Sequence, residues 1–335
     1  MKHAQRVIDA AQRLRAHVVR TPLLEAPLLN ELVCKQRGVS GARVLVKAEA
    51  LQHTGAFKFR GALNRLLADD MDASARARGV VAFSSGNFAQ ALALASRLTK
   101  TKCTIVSPHD APPLKLERTR AYGAQVLLST PAEGENREVA AAVMAARFAD
   151  EHGARLLHPF DDWPVIYGQG SLAVELYEQA DAPVTTLIVP CGGGGMLAGC
   201  SLATEVASPA TRLFAVEPEG YDDHCRSLQS GQRTALQGPP ATTICDALQA
   251  SAPGQLTWEV NGGRLAGAVA ASDASAKAAM AVAFTELKLA LEPSGALGLA
   301  ALLDGSVPLA NDDVVAVVAC GGNVDLRSFV RMLGE

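Results

Sequence analysis

Three short stretches carry residue types at spacings suited to chemistry. Residues 186–199, TLIVPCGGGGMLAG, read as strand, glycine turn and helix. Four consecutive glycines, Gly192, Gly193, Gly194 and Gly195, let the backbone curl so that several N–H groups point one way. The helix that follows, opening at Met196, adds its positive N-terminal end. The result is a cradle for an anion, phosphate above all. No GK[ST] follows, which excludes a P-loop for nucleoside triphosphates. A dinucleotide site stays open on spacing. Gly193, Gly195 and Ala198 satisfy G-x-G-x-x-A, and Glu217 ends the next strand where a ribose-binding carboxylate would stand. A turn that merely closes a strand–helix corner is the plainer reading, but four glycines exceed what a corner requires.

The second stretch is TGAFKFRGA, residues 54–62, with Lys58 between Phe57 and Phe59 at the start of a helical pattern. An amine flanked by apolar rings is partly desolvated, which lowers its pKa and frees it as nucleophile or base. Taken alone, a lysine that snorkels to the surface explains the pattern equally well. The third is FSSGNFAQ, residues 83–90, again strand, small-residue turn and helix start. It exposes backbone N–H groups suited to a carboxylate and offers Ser85 and Asn87 as polar handles. The alternative is an ordinary helix N-cap. ALEPSGALGLAAL (290–302) and VVACGGNVD (317–325) add Glu292, Ser294 and Cys320 at further polar, glycine-containing turns.

These stretches need an alternating scaffold to meet. β-branched runs predict strands at Arg43–Lys47, Val80–Phe83, Cys103–Val106, Gln125–Leu128, Thr186–Pro190, Leu213–Glu217 and Val314–Ala319. Helical periodicity fills Gly55–Leu67, Phe88–Leu98, Pro113–Tyr122, Glu135–Glu151, Val165–Gln179, Met196–Val206 and Ser275–Leu289. Strand–helix–strand alternation implies an α/β fold of two open, mostly parallel twisted sheets with helices on both faces. One unit of four strands spans residues 71–157; residues 1–70 and 158–335 make a larger domain. Gly231–Gly254, rich in Pro and Gly, reads as a surface excursion. Ligands of such folds sit at the carboxyl ends of the strands, here in the cleft between the two domains.

Composition narrows the classes of function. Of 335 residues, 49% are hydrophobic and 19% charged, which excludes disorder. A net charge of −3 with no basic face leaves nucleic-acid binding without support. No apolar run approaches the roughly 18–20 residues that span a bilayer. Seven cysteines without a CxxC pair point to reduced thiols and a cytoplasmic location.

In order along the chain, TGAFKFRGA, SSGN, HPFDD, GQGSLAVE, CGGGGMLAG, EPSGALG and CGGNVD resemble the fold-type II pyridoxal-phosphate enzymes (tryptophan synthase β-like), specifically the threonine/serine dehydratase and serine racemase group. The likeness runs from about Thr21 to Val324 and favours pyridoxal phosphate over a dinucleotide. It implies that Lys58 carries the cofactor as a Schiff base, Phe57 stacks near it, and Asn87 binds its 3′-hydroxyl. Gly192, Gly193, Gly194, Gly195 and Met196 would hold the phosphate, and Glu292 and Cys320 would line the pyridine ring, Cys320 facing its nitrogen. Ser85, Gly86, Phe88 and Ala89 would take the substrate carboxylate, Ser85 standing where the racemase places a second proton donor. Glu217, the Tyr221 carbonyl and Asp223 match the family's site for a structural cation, Mg, Ca or K. The family often forms homodimers. After Val324 only a short tail remains, so no separate regulatory domain is expected.

Three positions depart from the family: Ala56 and Cys320 replace serines, and Phe88 replaces a histidine. A neutral thiol at the pyridine nitrogen does not enforce a pyridinium, which favours β-elimination over transamination. The expected activity is that of a dehydratase (ammonia-lyase) converting a 3-hydroxy amino acid to a 2-oxo acid and ammonium. Phe88 removes hydrogen bonds and presents an apolar wall, favouring a bulky or aromatic β-substituent, phenylserine-like, over threonine and serine. Racemisation is the near alternative and a nicotinamide dehydrogenase the distant one.

Overall fold

The structure, a computed structural model, describes residues 2–132, 137–238 and 241–334. Its strands in chain order are β1 (Leu23–Leu24), β2 (Arg43–Lys47), β3 (Val80–Phe83), β4 (Cys103–Pro108), β5 (Gln125–Ser129), β6 (Arg155–Leu157), β7 (Thr186–Pro190), β8 (Arg212–Pro218), β9 (Gly267–Ala271) and β10 (Val314–Val318). They form a six-stranded sheet, β1-β2-β10-β7-β8-β9, and a four-stranded sheet, β5-β4-β3-β6. Every pairing is parallel except β1 on β2.

The helices are α1 (Lys2–Leu14), α2 (Pro27–Arg37), α3 (Lys58–Leu66), α4 (Ala73–Arg78), α5 (Asn87–Leu98), α6 (Pro113–Ala121), α7 (Arg137–His152), α8 (Trp163–Gln179), α9 (Gly195–Ala207), α10 (Asp223–Ser230), α11 (Gln255–Asn261), α12 (Asp273–Leu287), α13 (Pro293–Leu303) and α14 (Leu326–Gly334). Alternation along the strands splits the larger core in two. Val315 and Val317 of β10 pack with Val44, Val46, Ile188 and helices α12 and α13, whereas Ala316 and Val318 join Leu45, Leu187, Val189 and helices α8 and α9. Successive residues of a strand face opposite sides, so a strand covered on both faces must be apolar throughout. The small sheet is built likewise, Val80, Ala82 and Ile105 facing α5 and Val81 and Val106 facing α7.

All seven strands expected from the sequence are present, within two residues at each end. Three more, β1, β6 and β9, are short or alanine-rich. The helix expected from Gly55 starts at Lys58, because Thr54 and Gly55 take left-handed backbone angles (φ 61° and 73°) that a helix cannot contain. The first two residues of the expected Glu135–Glu151 helix lie outside the described residues. ALEPSGALGLAAL is a turn only as far as Glu292; from Pro293 onward it is the buried helix α13. The Gly231–Gly254 excursion is exposed at its start, but its end turns inward: Cys245 and Leu248 are buried, and Leu248 lies against Gly192. No helix among the described residues is long and apolar enough to cross a membrane.

Candidate active site

The glycine turn follows β7. Gly194, in the left-handed region at φ 92°, is the N-cap of α9, whose first-turn N–H groups have no partner within the helix. The Gly193 carbonyl is held from behind by Thr257 Oγ1 (2.7 Å) and Gly254 N (3.1 Å). A Cβ on Gly193 would lie 2.2 Å from the Phe160 ring, and one on Gly195 2.8 Å from the Phe160 carbonyl oxygen. Glycine is required here by close approach. The turn, its orientation and the helix end together suit a phosphate.

Lys58 reaches this region through pairing between two distant segments. The Phe57 N–H donates to the Cys320 carbonyl (3.1 Å), and Gly322 N–H to the Gly55 carbonyl (2.9 Å). Lys58 Nζ then donates to the Pro159 carbonyl at 2.9 Å. It stands 5.1 Å from the Phe57 ring centre and 5.9 Å from that of Phe88. Burial lowers its pKa to about 8. The desolvation expected from sequence is therefore present, but one ring is different: Phe59 turns away into the core beside α5 and packs edge-on to His53, and Phe88 takes its place.

Asn87, the first residue of α5, donates from Nδ2 to Glu292 Oε1 at 2.5 Å and accepts at Oδ1 from Asn323 Nδ2 at 2.8 Å. Arg118 in turn donates to Asn323 Oδ1. Burial raises the pKa of Glu292 against the pull of Lys115, whose Nζ is 3.7 Å away and bonded to Asp246 at 2.6 Å. Cys320 is buried, its Sγ donating to the Ser294 carbonyl at 3.5 Å, and burial pushes its thiol pKa far up, so it stays neutral. Ser85 and Gly86 form the loop from β3 into α5, half-buried, while Phe88 and Ala89 are buried in its first turn. Met196 is buried in the first turn of α9.

Lys58, Phe57 and Cys320 form one contact group and Asn87 and Glu292 another, and the two meet at Gly321, whose carbonyl accepts from the Glu292 N–H. Glu217 near the end of β8 and Asp223 at the start of α10 are buried apart from these groups, with Tyr221 in the turn between them. Tyr221 turns its hydroxyl to the Ala241 carbonyl. Glu217 is fully buried and accepts from the His224 and Cys225 backbone N–H groups at 2.9 Å each. A carboxylate so engaged is not available to a ribose, which removes the structural basis for the dinucleotide alternative.

Residue-type patterns missed several members of this assembly. His158 accepts at Nδ1 from the Asp161 N–H (2.9 Å), and burial lowers its pKa to about 4, leaving a neutral ring protonated at Nε2. Asp161 caps α11 through the Leu256 and Gln255 N–H groups. HPFDD is therefore the clamp between the glycine turn and the Lys58 amine. Lys115 and Arg118 lie in PLKLERTRA, which carries no turn punctuation and reads as an ordinary solvated helix.

Comparison with known proteins agrees with this geometry. Residues 14–321 match the family described as "Pyridoxal-phosphate dependent enzyme". A serine racemase of Arabidopsis thaliana is 38% identical over 96% of this chain and 92% of its own. An L-threo-3-hydroxyaspartate ammonia-lyase of Pseudomonas sp is 38% identical over 98% and 97%. The structure of maize serine racemase superimposes with a TM-score of 0.86 at 34% identity, covering 98% of this chain and 96% of that one. With its two mainly parallel sheets, glycine turn and desolvated lysine, the chain belongs to the fold-type II pyridoxal-phosphate-dependent enzymes.

Proposed function

We propose that this enzyme is an ammonia-lyase that eliminates water from a 3-hydroxy amino acid and releases the 2-oxo acid and ammonium, with aromatic β-substituents preferred. The observation that carries the reading is the Lys58 amine, its pKa lowered to about 8 between the rings of Phe57 and Phe88.

In this reading residues 71–157 form a small domain, residues 1–70 with 158–335 a larger one, and the reaction takes place where the two face each other. Backbone N–H groups of Gly192–Met196 would hold the cofactor phosphate. Asn87, positioned by Glu292 and Asn323, would donate to the cofactor's ring hydroxyl, and Cys320, held neutral by burial, would be the partner of its pyridine nitrogen. When bound, pyridoxal phosphate supplies an aldehyde that captures amines and a ring that withdraws electrons from the substrate Cα. Lys58 would anchor the cofactor, and its amine, of lowered pKa, would serve as the general base at the substrate Cα. The loop of Ser85, Gly86, Phe88 and Ala89 binds the substrate carboxylate. The Phe88 ring, 2% exposed and facing Lys58 Nζ, excludes water from that amine and rewards an apolar β-substituent.

Support for β-elimination comes from relatives named hydroxyaspartate and threonine ammonia-lyases, 35–38% identical. Relatives named serine racemase make racemisation the competing outcome, with Ser85 as second proton donor. The test is 2-oxo acid formation by the holoenzyme from threo-phenylserine, threonine, serine and threo-3-hydroxyaspartate, with chiral analysis of the remaining substrate. The expected result is the highest kcat/KM for phenylserine with unchanged configuration. A higher value for threonine or hydroxyaspartate overturns the substrate preference, and scrambled configuration without oxo acid overturns the lyase reading.

A further inference from the structure

Helix α6 packs beside α5 and β5 and carries two cations three residues apart, Lys115 and Arg118, which therefore share one face of the helix. Lys115 is buried and Arg118 exposed. Each reaches one end of a single hydrogen-bonded chain. Arg118 Nη1 donates to Asn323 Oδ1 at 2.9 Å. Asn323 Nδ2 donates to the Thr54 carbonyl at 2.7 Å and to Asn87 Oδ1 at 2.8 Å, and Asn87 Nδ2 donates to Glu292 Oε1 at 2.5 Å. At the far end Lys115 Nζ lies 3.7 Å from Glu292 Oε2, an oxygen with no hydrogen-bond partner among the described residues. A Cβ on Gly86, the residue before Asn87, would lie 4.0 Å from the same Nζ.

An amide side chain donates at one end and accepts at the other with nearly the same shape, so its partners decide which way it faces. A guanidinium only donates, and an ionised carboxylate only accepts. With Arg118 at one end and Glu292 at the other, neither Asn323 nor Asn87 can turn over without setting N–H against N–H or oxygen against oxygen. Glu292 serves as the accepting end only while it is ionised. Burial raises its pKa, Lys115 pulls it back, and Asp246 adds to the rise. Without the Lys115 ammonium a protonated Glu292 would carry a hydrogen of its own, and the chain would lose its fixed end.

We propose that Lys115 and Arg118 are positioning residues for the cofactor: they fix the direction of the chain that runs from Arg118 through Asn323 and Asn87 to Glu292, and so aim the second Nδ2 hydrogen of Asn87 into the site. The inference rests on the reading that Asn87 donates to the ring hydroxyl of pyridoxal phosphate. Charged groups at both ends strengthen the bonds between them, so a change at the exposed Arg118 is felt at Asn87 through Asn323.

The test titrates the full-length enzyme, stripped of cofactor, with pyridoxal phosphate and records the visible absorbance band of the reloaded protein. Arg118→Met, which keeps the length but removes the donor, is expected to weaken cofactor affinity about fivefold or more and to shift the band. Arg118→Lys, which restores a donor, is expected to stay within about twofold of wild type. Lys115→Met should weaken affinity at least as much as Arg118→Met, and Lys115→Arg should recover most of the loss. In an Asn87→Ala background Arg118→Met should cost nothing further, because the two residues act through one chain. Arg118 is exposed, so its variants decide the case if Lys115→Met fails to fold. Unchanged affinity and band in Arg118→Met, or an equal loss with and without Asn87, overturns the proposal and leaves the assignment of Asn87 standing. Unchanged affinity in Asn87→Ala alone overturns that assignment and this inference with it.

Discussion

The ε-amine of Lys58 donates to the carbonyl oxygen of Pro159, bridging 101 residues of chain. Lys58 precedes the four-stranded sheet and Pro159 follows it, so this one bond spans the whole insertion. The next residue, Phe160, packs on Gly193 and Gly195. A segment of two residues therefore registers the Lys58 amine against the glycine turn.

The pH response of the amine follows from its burial. Lys58 deprotonates at about 8 rather than near 10.5, so uptake of pyridoxal phosphate by the cofactor-free enzyme is expected to rise with a midpoint near pH 8. Between about 8 and 10.5 the unfolded chain keeps this proton and the folded chain does not, so Lys58 makes the cofactor-free protein more stable as pH climbs through that window. Stopped-flow absorbance across pH 6.5–10 checks the first expectation; a midpoint above 9.5 contradicts it.

Substrate preference is expected to invert at one position. Phe88→His places a donor where an apolar ring now faces Lys58, and the ratio of kcat/KM for phenylserine over threonine should fall by about tenfold or more. Steady-state kinetics of the two enzymes measures this; an unchanged ratio means that Phe88 only packs the core.

Stability rests on a buried ion network beneath Lys58. Arg60 Nε and Nη2 bond Glu49 at 2.8 and 2.9 Å, and Arg60 also reaches Glu175, which Lys47 shares. Arg60 and Glu49 are fully buried. Arg60→Ala leaves a carboxylate without its charge partner and is expected to destabilise by about 3–5 kcal/mol. Arg15→Ala, which breaks an exposed pair with Glu178, should change stability by no more than about 1 kcal/mol. Denaturant unfolding of both variants compares them.

The parts of this enzyme legible in its sequence are those that the chain punctuates. β7 and β10 are nearly unbroken apolar runs because both faces are covered, and each is followed by a glycine-containing turn that carries a candidate site residue. β9, Gly267–Ala271, is an edge strand of glycine, alanine and one valine and lacks that signature. α13 was obscured because a helix buried all round has no polar face to set its period. Lys115 and Asn323 act through contacts more than 100 residues away, with Asp246 and Asn87, and no local pattern encodes such a pairing. The facing ring was misjudged for the same kind of reason: Phe57 and Phe59 flank Lys58 in sequence, but helix geometry sends residue 59 to another side and a second helix supplies Phe88.

The central claim is that Lys58 holds the cofactor covalently. Borohydride reduction of the holoenzyme, followed by peptide mass spectrometry, reads it directly. The prediction is one pyridoxyl group per chain, on the peptide containing Lys58, and none in Lys58→Ala. Modification of another lysine, or no modification of a preparation saturated with pyridoxal phosphate, would contradict the account.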